Sequence, residues 1–254
     1  MPQTHSQDSA RGAALLTGAG KRIGRTLALR AAMAGFDVAV HHHHSHDEAQ
    51  AVAAEIRAIG RKAQAFSADL SDPAALPALI DNATAALGPL TLLVNCAALF
   101  ESDHVGAIDP ARYDAHQAIN LRAPVLLAQA FAAALTHERK GLIVNIVDQR
   151  VLQTDPSFFS YSLSKAGLFY ATRTLAQGLA PRIRVNAIGP GPTLASIHQS
   201  PEDFEREATG ALLGHAVSPD EIADAMAYLI DAPSVTGQMI TVDSGQHLNW
   251  MPPA

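Results

Sequence analysis

Tyr161 and Lys165 stand four residues apart at the start of a helical pattern, a spacing that puts both side chains on one helix face. An ammonium beside a phenol lowers the phenol pKa from about 10 and makes it a usable proton donor near neutral pH. Thirteen residues before the tyrosine, a short apolar run ends in Val147-Asp148. An ionised aspartate offers only lone pairs, so it repels a ketone oxygen and suits a substrate presenting N–H groups. With a raised pKa it can also relay a proton. Near the other end of the chain lies Thr17-Gly18-Ala19-Gly20-Lys21-Arg22-Ile23-Gly24. Glycines at a strand-to-helix turn let the backbone approach a pyrophosphate, whose charge the helix N-terminus stabilises. Lys21 and Arg22 add positive charge there. Each feature has a plainer reading: a tight structural turn, an Arg22 paired with a nearby acid, an Asp148 that only accepts a structural hydrogen bond.

These residues need a scaffold, and the hydrophobic pattern supplies one. The apolar run Ala13–Leu16 precedes the glycine turn, and an Ala-rich amphipathic stretch from Arg22 to Ala34 ends at Gly35, a natural helix stop. Phe36–Val40 reads as a strand, Asp47–Ile59 as a helix closed by Gly60, Ala63–Phe66 as a strand, Pro73–Leu87 as a helix and Leu90–Asn95 as a strand. Long helical patterns then surround strands at Leu142–Val147 and Ile183–Ala187, and a last strand is expected at Met239–Val242. Short apolar strands alternating with helices of ten or more residues imply βαβ units. The expectation is one doubly wound α/β domain over residues 12–254, of Rossmann type, with a mostly parallel sheet of about seven strands flanked by helices. Residues 1–11 are expected to form a disordered polar tail. Such sheets bind ligands where strands end, and the chemistry-bearing residues fall there.

The second strand end discriminates between nicotinamide cofactors. A site for NAD places a carboxylate there, about 20 residues past the glycines, to hold the ribose. This chain has His41-His42-His43-His44-Ser45 instead. A carboxylate would repel a 2′-phosphate, whereas imidazoles and a hydroxyl can donate to it. The expected cofactor is therefore NADPH, with His43, His44 and Ser45 around its 2′-phosphate. Metal chelation by the run and solvated histidines without a role remain as alternatives, the first disfavoured because successive side chains on a strand end diverge.

The composition sets outer bounds. The 254 residues are 48% hydrophobic, enough for a sizeable core, and the formal net charge of −6 argues against a nucleic-acid or anionic-membrane surface. A lone cysteine, Cys96, cannot form an internal disulfide or a Cys-rich zinc site and favours a reducing compartment. The polar N-terminus and the lack of a long apolar run leave a cytoplasmic globular protein as the expectation, with a small-molecule substrate and no metal.

Over roughly Ala13 to Gly245 the chain resembles the short-chain dehydrogenase/reductase family. The resemblance rests on Thr17-Gly18…Gly24, Asp69-Leu70, Asn95-Cys96-Ala97-Ala98, Asn120, Tyr161-Ser162-Leu163-Ser164-Lys165, Arg184-Val185-Asn186, Pro190-Gly191 and Val242-Asp243-Ser244-Gly245, in the family's order. It implies a Rossmann-type domain and hydride transfer with a nicotinamide cofactor. It further implies Tyr161 as acid/base, Lys165 on the nicotinamide ribose and Asn120 supporting a proton-relay water. Asp69 and Leu70 would lie by the adenine. Gly18, Gly20, Ile23, Asn95, Ala97, Pro190 and Gly191 would line the cofactor. A homotetramer with contacts through residues 110–135 and 157–179 belongs to the same expectation.

Three departures from the family's common pattern are informative: Arg22 for the middle glycine, Cys96 for the second asparagine, and Asp148 for the usual serine. They coincide with the pteridine reductase branch, which Lys21-Arg22, the His41–Ser45 run, Asp148 and Phe100 resemble. His44 departs from that branch, replacing its arginine. The resemblance implies that Phe100 stacks on a flat heteroaromatic ring and that Arg22 contacts phosphate and substrate. Asp148 and Tyr161 would protonate a ring nitrogen, and Thr193 would lie by the cofactor or the substrate's edge. Phe100 also reads as an ordinary loop anchor. The alternatives are reduction of another carbonyl or imine, and a non-catalytic NADP(H)-binding sensor. Residues 193–217, the expected lid, give no substrate code.

Overall fold

The computed structural model describes residues 11–196 and 199–249. The glycine turn, the histidine run and Tyr161 all belong to one surface because the chain crosses a single sheet seven times in one direction. The strands are β1 (Ala13–Leu16), β2 (Asp37–His42), β3 (Ala63–Ser67), β4 (Leu90–Asn95), β5 (Gly141–Ile146), β6 (Ile183–Pro190) and β7 (Met239–Val242). Their order is β3-β2-β1-β4-β5-β6-β7, and every pair is parallel. The sheet is thus wholly rather than mostly parallel. The order reverses between β1 and β4, and that switch opens the crevice in which such sheets bind ligands.

Helices cover both faces, as parallel strands require. Alternate side chains of a strand point to opposite faces. Ala14 and Leu16 of β1 join Val38, Val40, Val94 and Val144 in one core, under α1 (Arg22–Met33), α2 (His46–Ala58) and α8 (Pro219–Asp231). Ala13, Leu15, Ala39, Leu93 and Ile143 face the other way, under α3 (Ala75–Leu87), α5 (Ala123–Ala134) and α6 (Phe159–Leu179). The fold is therefore a single α/β domain of Rossmann type. No helix among the described residues is long and apolar enough to cross a membrane.

Helix ends follow local chemistry. Gly35 and Gly60, at φ +99° and +87°, close α1 and α2 in a conformation that L side chains rarely adopt. Ser218 and Glu221 form a reciprocal capping box at α8 with Pro219 in its first turn. Asp109 caps α4 (Pro110–Gln117) by accepting from the Ala111 amide. Between α4 and α5 the helix widens to a π-turn over Ala118–Arg122, which contains Asn120.

The structure also departs from the sequence expectations. Strand β6 runs on to Pro190 because Gly189 and Pro190 pair with Thr241 and Val242 of β7. Residues 201–209 form a helix, α7, inside the stretch that carried no readable code. Residues 1–10 of the expected tail and Trp250–Ala254 lie outside the described residues. Arg11 is held: its carbonyl accepts from Thr91 Oγ1 and its guanidinium pairs with Asp231 at 2.7 Å.

Candidate active site

The glycine turn joins β1 to α1 with almost no spare room. Gly18 has φ +65°, and a Cβ there would come within 2.9 Å of the Ala97 Cα. A Cβ on Gly24 would press into the Gly18 carbonyl, and one on Gly20 would meet Ser45 Oγ and the Ala49 amide at 3.2 Å. This backbone cradle, opening onto the unpaired N–H groups of the first turn of α1, suits a pyrophosphate. Gly24→Ala must push α1 off the turn; we expect a loss of about 1–3 kcal/mol in stability, read by denaturant unfolding, and weakened dinucleotide binding.

Thr17 locks the crevice from below. Its Oγ1 accepts from the amides of Cys96 (3.0 Å) and Ala97 (3.1 Å), tying the end of β1 to the end of β4. Cys96 is a free thiol whose pKa burial pushes up to about 11, which leaves it unreactive at neutral pH.

Arg22 takes the glycine position in a left-handed conformation, φ +52°. Its guanidinium donates to the carbonyls of Leu194 and Ala195, each at 3.0 Å, and so spans the crevice to the chain beyond β6. Lys21 pairs instead with Glu48 at 2.6 Å on the surface.

The histidine run divides in two. His43 and His44 are exposed, with ring centroids 3.6 Å apart, and Ser45 precedes α2. They lie close enough to Asp69 to help hold its carboxyl below the usual range, after the hydrogen bonds it takes from Ser71. His41 and His42 are buried. His41 accepts the Gly18 amide at Nδ1 (3.1 Å), and its Nε2 contacts the Ala68 carbonyl (3.1 Å). Burial pulls its pKa down to about 4, keeping the ring neutral. Among the described residues no group of three His, Cys, Asp or Glu could hold a metal ion.

Asn95 and Asn120 are structural in their contacts. Asn95 Nδ2 donates to Asn145 Oδ1 (2.8 Å), and Asn145 donates on to Thr172 (2.9 Å), linking β4, β5 and α6. Asn120 grips Leu99 from both sides: its Oδ1 accepts the Leu99 amide (2.8 Å) and its Nδ2 donates to the Leu99 carbonyl (2.9 Å). Its other Nδ2 proton goes to Ser164 Oγ (3.0 Å). Leu70 is buried, whereas Ile23 and Ala97 are half-buried beside the turn. Pro190 and Gly191 leave β6 against Asp243, and Thr193 Oγ1 donates back to the Gly191 carbonyl at 2.9 Å.

Past the end of β5, Asp148 does two things. Its Oδ1 accepts the Arg150 amide (2.9 Å), capping a short turn over Gln149–Val151, and its Oδ2 accepts the Tyr161 hydroxyl (2.8 Å). Lys165 lies one helical turn along α6, with Nζ donating to the Ile146 carbonyl (2.8 Å) and 5.7 Å from the tyrosine ring centre. Burial pulls the Lys165 pKa down to about 8 against the raising influence of Asp148. The Tyr161 phenol moves opposite to the sequence expectation. Burial, then the Asp148 charge and hydrogen bond, raise it well above 10, because a carboxylate stabilises the protonated phenol. Tyr161 thus holds its proton.

Phe100 lies half-buried with its edge to Tyr161 (centroids 4.7 Å, planes at 81°) and one face on Phe158 (4.3 Å, 7°). The Arg150 guanidinium lies 5.7 Å from the Phe100 ring centre and 5.2 Å from that of Phe158. Sequence reading missed Phe158, which has φ +56°, and assigned no role to Arg150 or Asp103. Asp103 is buried and accepts the Ser160 amide (2.9 Å) and hydroxyl, fastening the Phe100 loop to the start of α6. Buried His116 accepts the Glu101 amide at 3.3 Å. With Asn120 holding Leu99, the aromatic loop is pinned on both sides of Phe100. A polar cavity of about 460 Å³, lined by Gln149, Arg150, Asp155, Glu207 and Gln246 among others, adjoins it.

Comparison with known proteins agrees with this geometry. A family model described as enoyl-(acyl carrier protein) reductase matches residues 18–247. The crystal structure of FolM alternative dihydrofolate reductase 1 from Brucella suis, in complex with NADP, is 48% identical, superposes with a TM-score of 0.93 and covers 96% of this chain and 98% of that one. A short-chain dehydrogenase from Burkholderia cenocepacia in complex with NADP is 32% identical with a TM-score of 0.87, over 93% of this chain and 98% of that one. The 3-oxoacyl-[acyl-carrier-protein] reductase FabG of Staphylococcus aureus is 30% identical over 240 residues, 92% of this chain and 98% of that protein. The crevice at the sheet's switch point, the Tyr161–Lys165 pair on one helix face and a match running from the glycine turn to the last strand place this chain in the short-chain dehydrogenase/reductase family.

Proposed function

We propose that the protein is an NADPH-dependent reductase of a pteridine-like heterocycle. The observation that carries this reading is the 2.8 Å hydrogen bond from Tyr161 Oη to Asp148 Oδ2, at the edge of Phe100. A carboxylate in that position repels a carbonyl oxygen but accepts from the N–H groups of a nitrogen heterocycle. The 48% identity to a dihydrofolate reductase crystallised with NADP supports the same reading.

The glycine cradle, His43, His44 and Ser45 would hold the dinucleotide, with Lys165 on the nicotinamide side. When bound, that cofactor supplies a hydride to a ring carbon. The chain's own residues handle the proton. Tyr161 keeps its hydroxyl protonated while Asp148 accepts from it. A substrate N–H that donates to Asp148 competes for that carboxylate and frees the phenolic proton for the adjacent ring nitrogen. Phe100 orients the flat ring, and the pinned loop fixes Phe100. Lys165 must be cationic to hold the ribose and favour proton release, so raising the pH through about 8 removes its charge. The kcat/KM profile is expected to fall on its basic side with an apparent pKa near 8; a flat profile to pH 9.5 would count against this role.

The test is NADPH oxidation with dihydrobiopterin and dihydrofolate beside a panel of small ketones and a 3-oxoacyl thioester. Turnover of the pterins, blocked by an antifolate, is the expected result. Turnover of ketones or the thioester without the pterins would overturn the substrate class while leaving the cofactor.

A further inference from the structure

We propose that His41 is a positioning residue for the dinucleotide, its imidazole setting the shape of the glycine turn by joining it to the exit of β3. The inference rests on the cofactor reading above and concerns a histidine buried against the backbone of the glycine turn. Three bonds carry it. His41 Nδ1 accepts from the Gly18 amide at 3.1 Å, Nε2 meets the Ala68 carbonyl at 3.1 Å, and the His41 carbonyl accepts from the Ala19 amide at 2.9 Å.

The Gly18 contact fixes the tautomer. An amide N–H can only be received by an unprotonated Nδ1, so Nε2 carries the hydrogen and donates it to Ala68. The ring is 2% exposed, and its low pKa keeps this single arrangement across the neutral range.

The consequence reaches the ligand. The Gly18 and Ala19 amides of the turn both end on His41 and are spent on the turn's conformation. Phosphate recognition then falls to the amides that follow, at the start of α1. Ala97 lies close to the turn as well, where a Cβ on Gly18 would come within 2.9 Å of its Cα. Ala68 leads directly into Asp69 and Leu70, which places a second segment of the crevice under the same ring. One imidazole therefore holds the walls proposed for the pyrophosphate and for the adenine in register.

Two substitutions separate this from a merely stabilising role, because each keeps one bond. In His41→Asn the side-chain carbonyl can take the place of Nδ1 and receive Gly18; in His41→Gln the amide reaches the place of Nε2 and serves only Ala68. NADPH binding is measured by fluorescence titration on the full-length protein, with melting temperatures alongside. Both variants are expected to melt several degrees lower. The expected split is in affinity: His41→Gln weakens NADPH binding by about ten-fold or more, equivalent to about 1.4 kcal/mol, while His41→Asn stays within about three-fold. In turnover assays the loss is expected in KM for NADPH with kcat nearly unchanged. Equal NADPH affinity in both variants, whether retained or lost in step with the melting temperature, overturns the proposal. If neither variant folds, ¹⁵N spectra of the unmodified protein decide: a ring protonated at Nδ1 overturns it, and a Gly18 amide whose shift is unmoved on breaking the Nδ1 bond by acid titration does so as well. Failure of the unmodified protein to bind NADPH would instead overturn the cofactor reading and this inference with it.

Discussion

Tyr161→Phe is expected to lower kcat by about 10²–10⁴-fold while leaving NADPH affinity within about three-fold of the parent, measured by steady-state kinetics beside fluorescence titration. The physical reason lies in a single atom. In the proposed mechanism the hydroxyl is the proton store of the site; burial and the Asp148 carboxylate that accepts from it keep it protonated. Removing it takes away the proton and leaves the ring packing of Tyr161 on Phe100 and His116 intact. Cofactor-dependent turnover that survives in this variant would remove Tyr161 from the mechanism. A large loss of NADPH affinity would show that the substitution disturbed the crevice instead.

Asp148→Ser carries the next largest effect, and in two directions. Loss of the carboxylate removes the acceptor proposed for substrate N–H groups, and the charge that adds to burial in raising the Tyr161 pKa. A serine hydroxyl donates where the aspartate accepts, so a carbonyl oxygen is no longer repelled. We expect pterin turnover to fall by about 10²-fold or more and ketone turnover to rise from background. Asp148→Asn removes the charge at nearly unchanged shape, its single amide oxygen accepting from either Tyr161 or the Arg150 amide where the carboxylate accepts from both; a variant as active as the parent would rule out proton relay. Unchanged pterin kinetics in Asp148→Ser would remove the aspartate from substrate recognition altogether.

The pattern of alternating strands and helices carried most of the architecture. Parallel strands buried on both faces read as short apolar runs, and β4 and β7 occur at Leu90–Asn95 and Met239–Val242, the bounds their apolar runs suggest. Strand β6 extends past its apolar run because pairing with β7 sustains it through Gly189 and Pro190, a partner 50 residues away that no local window contains. Helix α7 had a local signal that was passed over: Ser200 before Pro201, with Asp203 three residues after the cap.

The sequence by itself determined the residue types at the crevice, since Gly18, Gly24, Asp148, Tyr161 and Lys165 fall at strand ends and on one helix face, where spacing alone fixes position. Composition and turn chemistry are local quantities, and they survive without knowledge of the fold. Only the tertiary structure decided what each group touches. It separated buried His41 from exposed His43 and His44, because the ladder between β2 and β3 turns one strand-end ring inward beneath Gly18. It brought Phe158 and Arg150 to Phe100, and Ser160 to Asp103, across 50 or more residues of chain. It also set the Tyr161 phenol above its ordinary pKa rather than below, because burial first, and then the Asp148 carboxylate bonded to its oxygen, both favour the neutral phenol. Distances of a few ångströms govern hydrogen bonding and charge, and only the folded chain fixes them.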